Sequence, residues 1–136
     1  MNVAFKEGKK IDKQLLKALY EDVQWNAYTK DLSQLQQALV NSLFVLTAWG
    51  GDQLIGLIRV VGDGLTILYI QDILVLNSYQ NRGIATEMMQ LVVKKYKDVR
   101  QKVLLTEAAP DVRHFYEKNG FISCDKGTLV GFAKIN

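Results

Sequence analysis

The run Gln80-Asn81-Arg82-Gly83-Ile84-Ala85 stands between an apolar strand pattern, Ile67 to Leu76, and a helical pattern that begins at about Gly83. The first amides of a helix have no partner within it, and the helix dipole adds partial positive charge there. A glycine-bearing turn at this point can therefore receive a phosphate on main chain alone, and Gly83 lets the backbone approach a ligand with no Cβ between them. The run has neither the Gly-Lys-Ser/Thr ending of a P-loop nor the Gly-x-Gly-x-x-Gly spacing of a dinucleotide site. Taken alone, it fits an ordinary strand-to-helix turn equally well. Asp72 is the second residue of interest, a carboxylate inside the apolar run Ile70-Gln71-Asp72-Ile73-Leu74-Val75. Burial of an unpaired carboxylate is costly, and desolvation makes carboxylates stronger bases. Asp72 is read as a general base, as a substrate anchor, or as a carboxylate satisfied by backbone amides at a strand bulge.

Several elements must position these residues. Val3 to Glu7 alternates weakly and predicts a short first strand. Asp12 is a suitable N-cap for a helix carrying Leu15, Leu16, Leu19, Tyr20 and Val23 at helical spacing. Thr29, Asp31 or Ser33 caps a second helix with Leu32, Leu35, Leu39 and Leu43 on one face. The segment Trp25-Asn26-Ala27-Tyr28-Thr29 between them reads as a polar loop with two large aromatics. Leu43 to Trp49 and Gln53 to Val61 read as strands joined at Gly50-Gly51-Asp52. After the turn Gly62-Asp63-Gly64, Leu65 to Leu76 reads as a central strand covered on both faces. The helix from Gly83 to about Tyr96 buries Ile84, Met88, Leu91, Val92 and Tyr96, and Val103-Leu104-Leu105 follows as a buried strand. Pro110 suits the first turn of a last helix, with Val112, Phe115 and Tyr116 inward and Gly120 as its C′ glycine. Phe121 to Cys124 and Leu129 to Ile135 read as two closing strands. The order β-α-α-β-β-β-α-β-α-β-β describes an α/β (α+β) domain around one mixed sheet.

Composition narrows the function classes. A chain of 136 residues reads as a single domain, 1–136. No apolar run approaches the roughly 20 residues of a membrane span, and the first residues lack the apolar core of a signal peptide. Cys124 is the only cysteine, so no intrachain disulfide forms; this fits a reducing, cytoplasmic compartment. It is read as a small buried hydrophobe rather than a nucleophile. One cysteine and one histidine cannot build the usual zinc cluster, so no metal is expected. A net charge of +3 with scattered basic residues argues against nucleic acid as a partner and mildly favours an anionic ligand.

Two segments resemble the GNAT superfamily of acyl-CoA N-acyltransferases. Ile73-Leu74-Val75-Leu76-Asn77-Ser78-Tyr79-Gln80-Asn81-Arg82-Gly83-Ile84-Ala85 looks like the family's strand followed by its Gln/Arg-x-x-Gly-x-Gly/Ala loop. Phe115-Tyr116-Glu117-Lys118-Asn119-Gly120-Phe121 resembles its Phe/Leu-Tyr-x-x-x-Gly-Phe motif. One helix and one strand lie between the two, as in the family, and the element order agrees along nearly the whole chain. Asn77 stands where the family often has proline, a change expected to matter little. Ala85 replaces the commoner second glycine, and Ala109 stands where many members have an Asn that touches the pantetheine arm.

The resemblance implies a mostly antiparallel GNAT-like sheet and acetyl-CoA as cosubstrate. The amides of Gln80, Asn81, Arg82, Gly83, Ile84, Ala85 and Thr86 would hold its diphosphate, with the Arg82 side chain either joining them or remaining solvated. The cofactor arm would pair with Ile73, Leu74 and Val75 as an added strand does, and the amide of Ile73 or Leu74 would polarise the thioester carbonyl. Tyr116 is either a core aromatic or the general acid that protonates the departing thiolate, a task suited to a phenol with an ordinary pKa near 10. Gln71-Asp72-Ile73 is similar to the acceptor-side strand of glucosamine-phosphate N-acetyltransferases. Trp25, Asn26 and Tyr28 either cover the acceptor or simply pack on the sheet, and Glu21, Asp22 and Asp31 nearby would attract a cationic amine. His114 reads as solvated. The implied activity is transfer of an acetyl group to the primary amine of a small molecule by direct attack in a ternary complex. Acetylation of a protein lysine or N-terminus, and a non-catalytic CoA-binding sensor, are the alternatives. Related domains often form homodimers.

Overall fold

Ala4–Glu7 (β1), Phe44–Gly50 (β2), Gln53–Gly62 (β3), Ile67–Val75 (β4) and Gln101–Val103 (β5) lie in that order in one sheet. This is seen in the computed structural model, which describes residues 2–136. Neighbours pair antiparallel from β1 to β4, and β4 pairs with β5 in parallel. The chain forms two compact units, one ending at Leu104 and one spanning Leu105–Asn136. The sheet belongs to the first.

Helices cover both faces of the sheet. Lys13–Asp22 (α1) begins where Asp12 accepts from the amides of Gln14 (2.9 Å) and Leu15 (3.3 Å), and it buries Leu16, Leu19 and Tyr20. A single turn, Asn26–Thr29 (α2), leads to Leu32–Val40 (α3), capped by Asp31 and buried through Leu35 and Leu39. Ile84–Lys95 (α4) buries Ile84, Met88, Met89 and Val92. Side chains alternate across a strand: Gly56 faces Met88 of α4, whereas Arg59, at odd spacing from it, faces Tyr20 of α1 through Asp72. The two helices therefore pack on opposite faces. This explains why Leu57 and Ile58, neighbours in β3, are both fully buried.

The expected order holds through β5, with differences that have physical causes. The segment read as a loop with two aromatics contains the turn α2. β5 lies earlier than Val103 to Leu105 and is only partly covered, because it is an edge strand paired on one side alone. No strand follows it among the described residues. Phe121 to Cys124 and Leu129 to Ile135 have the alternation of strands, but a strand needs a neighbouring edge to pair with, and the unit Leu105–Asn136 contains none. Its one helix is Pro110–Lys118 (α5). Ile122, Leu129, Val130, Phe132 and Ile135 are exposed. Cys124 is exposed too, contrary to the buried position expected, because it opens a short 3-10 turn, Cys124–Lys126, that is buried nowhere.

Candidate active site

At the end of β4 the chain makes a 3-10 turn, Asn77–Tyr79. It then passes through left-handed backbone at Asn81 (φ 63°) and Gly83 (φ 80°) into α4. The first bond of that helix runs from the Glu87 amide to the Gly83 carbonyl, 3.0 Å. The amides of Ile84, Ala85 and Thr86 come before it, and no side chain caps them. A Cβ built on Gly83 meets no protein atom within 4 Å beyond its own chain neighbours. Open amides beside open space are what an anion requires at a helix start. The Arg82 guanidinium lies 5.3 Å from the centre of the Tyr79 ring.

Gln80 plays a different part from its neighbours. Its backbone amide donates to the Asn77 carbonyl at 3.3 Å. Its side-chain amide donates to the Val75 carbonyl at 3.0 Å and to Asn77 Oδ1 at 3.1 Å. Gln80 thus fastens the turn to the end of the strand.

The β4 edge beside this loop is open over half its length. β5 pairs only with Ile67, Leu68 and Tyr69. The Leu76 amide donates to the Ile55 carbonyl on β3 at 2.9 Å. By antiparallel alternation, the backbone groups of Leu74 and Asp72 also face β3, and those of Val75 and Ile73 face the opposite, unpaired edge. The Val75 carbonyl is taken by Gln80, which leaves the Val75 amide and both groups of Ile73. Of the two amides considered for the thioester carbonyl, that of Ile73 is the one on the open edge. Register slips beside Asp72: Arg59 opposes Asp72 while Val60 opposes Ile70. Gln71 is therefore an extra, bulged residue, exposed beside a buried aspartate.

Asp72 is 2% exposed and fully engaged. Its Oδ2 accepts from Arg59 Nε at 2.8 Å and from the Tyr20 hydroxyl at 2.9 Å, and its Oδ1 accepts from the Tyr28 hydroxyl at 2.7 Å. Gln71 Nε2 in turn donates to the Tyr28 oxygen at 2.9 Å. A bulge is present, as one reading of Asp72 required, but side chains satisfy the carboxylate, not amides. Trp25, Tyr28 and Tyr20 form a cluster with ring centres 5.2–6.4 Å apart, Tyr20 meeting both of the others edge-on. The structure thus brings Trp25, Tyr28, Gln71 and Asp72 together, all within the first unit. Burial and the adjacent Asp72 charge push both the Tyr20 and the Tyr28 phenols above their ordinary value, Tyr20 very far. Burial opposes the charge on Arg59, yet Asp72, helped by the two phenols, raises its pKa overall.

These shifts have a sign that can be checked. The unfolded chain releases tyrosine protons near pH 10, whereas the folded protein retains those of Tyr20 and Tyr28 to higher pH. Their contribution to stability is complete below about pH 10 and is lost as pH rises beyond it. Urea midpoints measured from pH 8 to 11 are expected to fall more steeply above pH 10 in the native protein than in Tyr20→Phe. Parallel curves would contradict the shift.

Two of the three acidic residues near Trp25 and Tyr28, Asp22 and Asp31, are already engaged. Asp22 Oδ2 accepts from the Asn77 amide at 2.7 Å, and Asn77 Nδ2 donates to the Asp22 carbonyl at 2.7 Å. Asp31 caps α3. Asn77 therefore matters more than expected: a proline there has no N–H to give, and the clasp between α1 and the loop would be lost.

In the second unit, Tyr116 sits half-buried on α5. The Phe121 amide donates to the Tyr116 carbonyl (3.0 Å) and the Gly120 amide to the Glu117 carbonyl (3.1 Å). This is the Schellman pattern, with Gly120 at φ 89°. The accompanying hydrophobic contact is Phe121 on Tyr116, ring centres 5.9 Å apart. The Gly-Phe of the sequence motif therefore has a mechanical role: it ends the helix and holds the Tyr116 ring. His114 is exposed, as read.

Arg59 and Tyr20 were not singled out from sequence as site residues. One signal was available: Arg59 is a lone cation in an apolar strand, as Asp72 is a lone anion in the next. Two opposite charges in adjacent buried strands are expected to pair.

Comparison with known proteins identifies the family of this fold. The GNAT acetyltransferase domain profile matches residues 14–131. A GNAT-family acetyltransferase structure from Streptococcus pneumoniae is 32% identical, with 99% of this chain and 98% of that one covered and a TM-score of 0.88. An uncharacterized ycf52-like N-acetyltransferase of Prochlorococcus marinus is 29% identical over 94% of this chain and 72% of its own length. An aminoglycoside N-acetyltransferase solved in complex with CoA shares the fold at 17% identity, TM-score 0.69, with 98% and 95% covered. Among the described residues no helix is long and apolar enough to cross a membrane. The chain belongs to the GNAT family and is an N-acetyltransferase.

Proposed function

We propose that the enzyme, as a single domain over residues 1–136, transfers the acetyl group of acetyl-CoA to the primary amine of a small molecule, by direct attack in a ternary complex. The observation that carries this reading is the run of uncapped amides at Ile84, Ala85 and Thr86 beside the open edge of β4. Acetyl-CoA supplies the activated thioester. Its diphosphate suits the amides from Asn81 to Thr86, with Gln80 bracing the turn, and its amide-bearing arm suits the free groups of Ile73 and Val75. The CoA bound to the aminoglycoside N-acetyltransferase of the same fold supports the same cosubstrate here.

Within this mechanism the Ile73 amide donates to the thioester oxygen and stabilises charge that develops there. Tyr116 gives its proton to the departing sulfur. Trp25, Tyr28 and Gln71 flank the acceptor. Both Asp72 oxygens carry donors, which favours a positioning role through Tyr28 over direct removal of the amine proton. Water is then the first receiver of that proton. A small acceptor is favoured by the compact aromatic group of Tyr20, Trp25 and Tyr28. A reducing cytoplasmic setting remains part of the proposal.

The test is to incubate protein with acetyl-CoA and a panel of amines and to follow thiol release between pH 6 and 9. Turnover is expected for a subset of small amines; CoA binding without any turnover would favour a sensor. Tyr116→Phe is expected to lower kcat by roughly 10²-fold or more and to leave acetyl-CoA affinity nearly unchanged. An unaltered single-turnover rate would remove Tyr116 from the chemistry.

A further inference from the structure

Arg59 has more hydrogen-bonding capacity than the protein uses. Its side chain is 8% exposed. Nε is bonded to Asp72, and the ring of Tyr28 lies 5.8 Å from the guanidinium carbon. The Nη1 and Nη2 atoms bond to no described residue. Among the described residues no fully buried side-chain nitrogen or oxygen lacks a partner, so both Nη atoms keep some exposure to solvent. A guanidinium presents five N–H donors in a planar fork, and here the four on Nη1 and Nη2 are unused, beside Tyr28 and Asp72. A nearly buried cation with its fork unused is a receptor for a planar acceptor group.

Charge selects the chemistry of that group. Asp72 already balances Arg59, so a phosphate dianion would leave the cluster strongly negative in a poorly hydrated place. A carboxylate carries one charge and matches the fork in bidentate geometry. Arg59 is beneath Tyr28, and Asp72 adjoins Ile73, the residue proposed to face the thioester. A carboxylate held on Arg59 therefore belongs to the molecule whose amine is acetylated.

We propose that Arg59 recognises a carboxylate on the acceptor, so that the preferred substrates are amines that also bear a carboxylate. This rests on the acetyl-transfer reading above. Asp72 and Tyr28 then act as positioning residues that hold the guanidinium with its fork free.

The experiment compares glycine, β-alanine, γ-aminobutyrate and the common amino acids, each with its own carboxamide, and includes spermidine as an amine without a carboxylate. Binding is measured by calorimetry on protein saturated with CoA, and turnover by thiol release. At least one amino acid is expected to bind about tenfold or more tightly than its carboxamide, the loss of charge-assisted bonds. Arg59→Lys keeps a cation for Asp72 but loses the fork, and is expected to abolish that difference while leaving CoA affinity unchanged. Equal binding of acid and amide in the native protein, a preference for spermidine, or a preference that survives in Arg59→Lys would each overturn the proposal. Each of these can occur with CoA bound and amines acetylated, which separates this failure from failure of the acetyl-transfer reading. Carboxylate binding is decided in the native protein even if the variant does not fold.

Discussion

Asp72→Ala is expected to lower the stability of the protein by about 3–5 kcal/mol, the usual cost of leaving one member of a buried ion pair alone. The carboxylate is the meeting point of Arg59, Tyr20 and Tyr28. Its removal strands a cation that is nearly inaccessible to water, along with a phenol that is fully buried. Urea denaturation with an unchanged m-value is the measurement. A companion double variant, Arg59→Met with Asp72→Leu, is expected to recover much of the loss, because apolar groups of similar volume often replace a buried pair at little cost. A loss below about 1 kcal/mol in Asp72→Ala would mean that the carboxylate is not the keystone of this layer. The distinction bears on function. A residue that holds three neighbours in place acts on the reaction through their geometry, and its loss would disturb acceptor affinity and stability together.

Gly83→Val is expected to weaken CoA binding by roughly 10²-fold, the loss of two or so hydrogen bonds to a charged phosphate, while the fold survives. Two features of Gly83 separate these effects. Its φ of 80° is costly for a residue with a side chain, about 1–2 kcal/mol. The space around its missing Cβ is otherwise empty of protein. A valine side chain there meets the ligand rather than the chain. Gly83→Ala shares the strain with less bulk, so it is expected to lose similar stability but less affinity. Normal CoA affinity in the valine variant would undo the assignment of the loop.

Much of this arrangement was legible in the sequence because it depends on local rules. The continuous apolar run into β4, the glycine before α4 and the Gly-Phe after α5 each specify backbone geometry within a few residues. The same holds for Asp12 as a helix cap, while Asp31 was one of three candidates for the other cap and is the one that fills it. What was not legible depends on partners distant in sequence. The Tyr20 and Asp72 side chains meet across 52 positions, and Tyr28 and Asp72 across 44. Periodicity marks Tyr20 as buried but does not say which polar group its hydroxyl meets. Asn77 looked replaceable because its value lies in an amide donated to Asp22, 55 residues away. The closing strands failed for a related reason: alternation along Leu129 to Ile135 describes a chain suited to pairing, and pairing is a property of two strands. The Val75 carbonyl shows the same limit on a smaller scale. Its place on the open edge follows from register, and its capture by Gln80 was visible only once the turn had been built.

The central claim is that main-chain amides at the head of α4 and along the free edge of β4 hold coenzyme A. Titration of the isotopically labelled protein with CoA, followed by backbone amide NMR, tests it most directly. The largest shifts are expected at Gly83, Ile84, Ala85 and Thr86, with a second group at Ile73 and Val75. Absence of CoA binding, or shifts concentrated away from both segments, would contradict it.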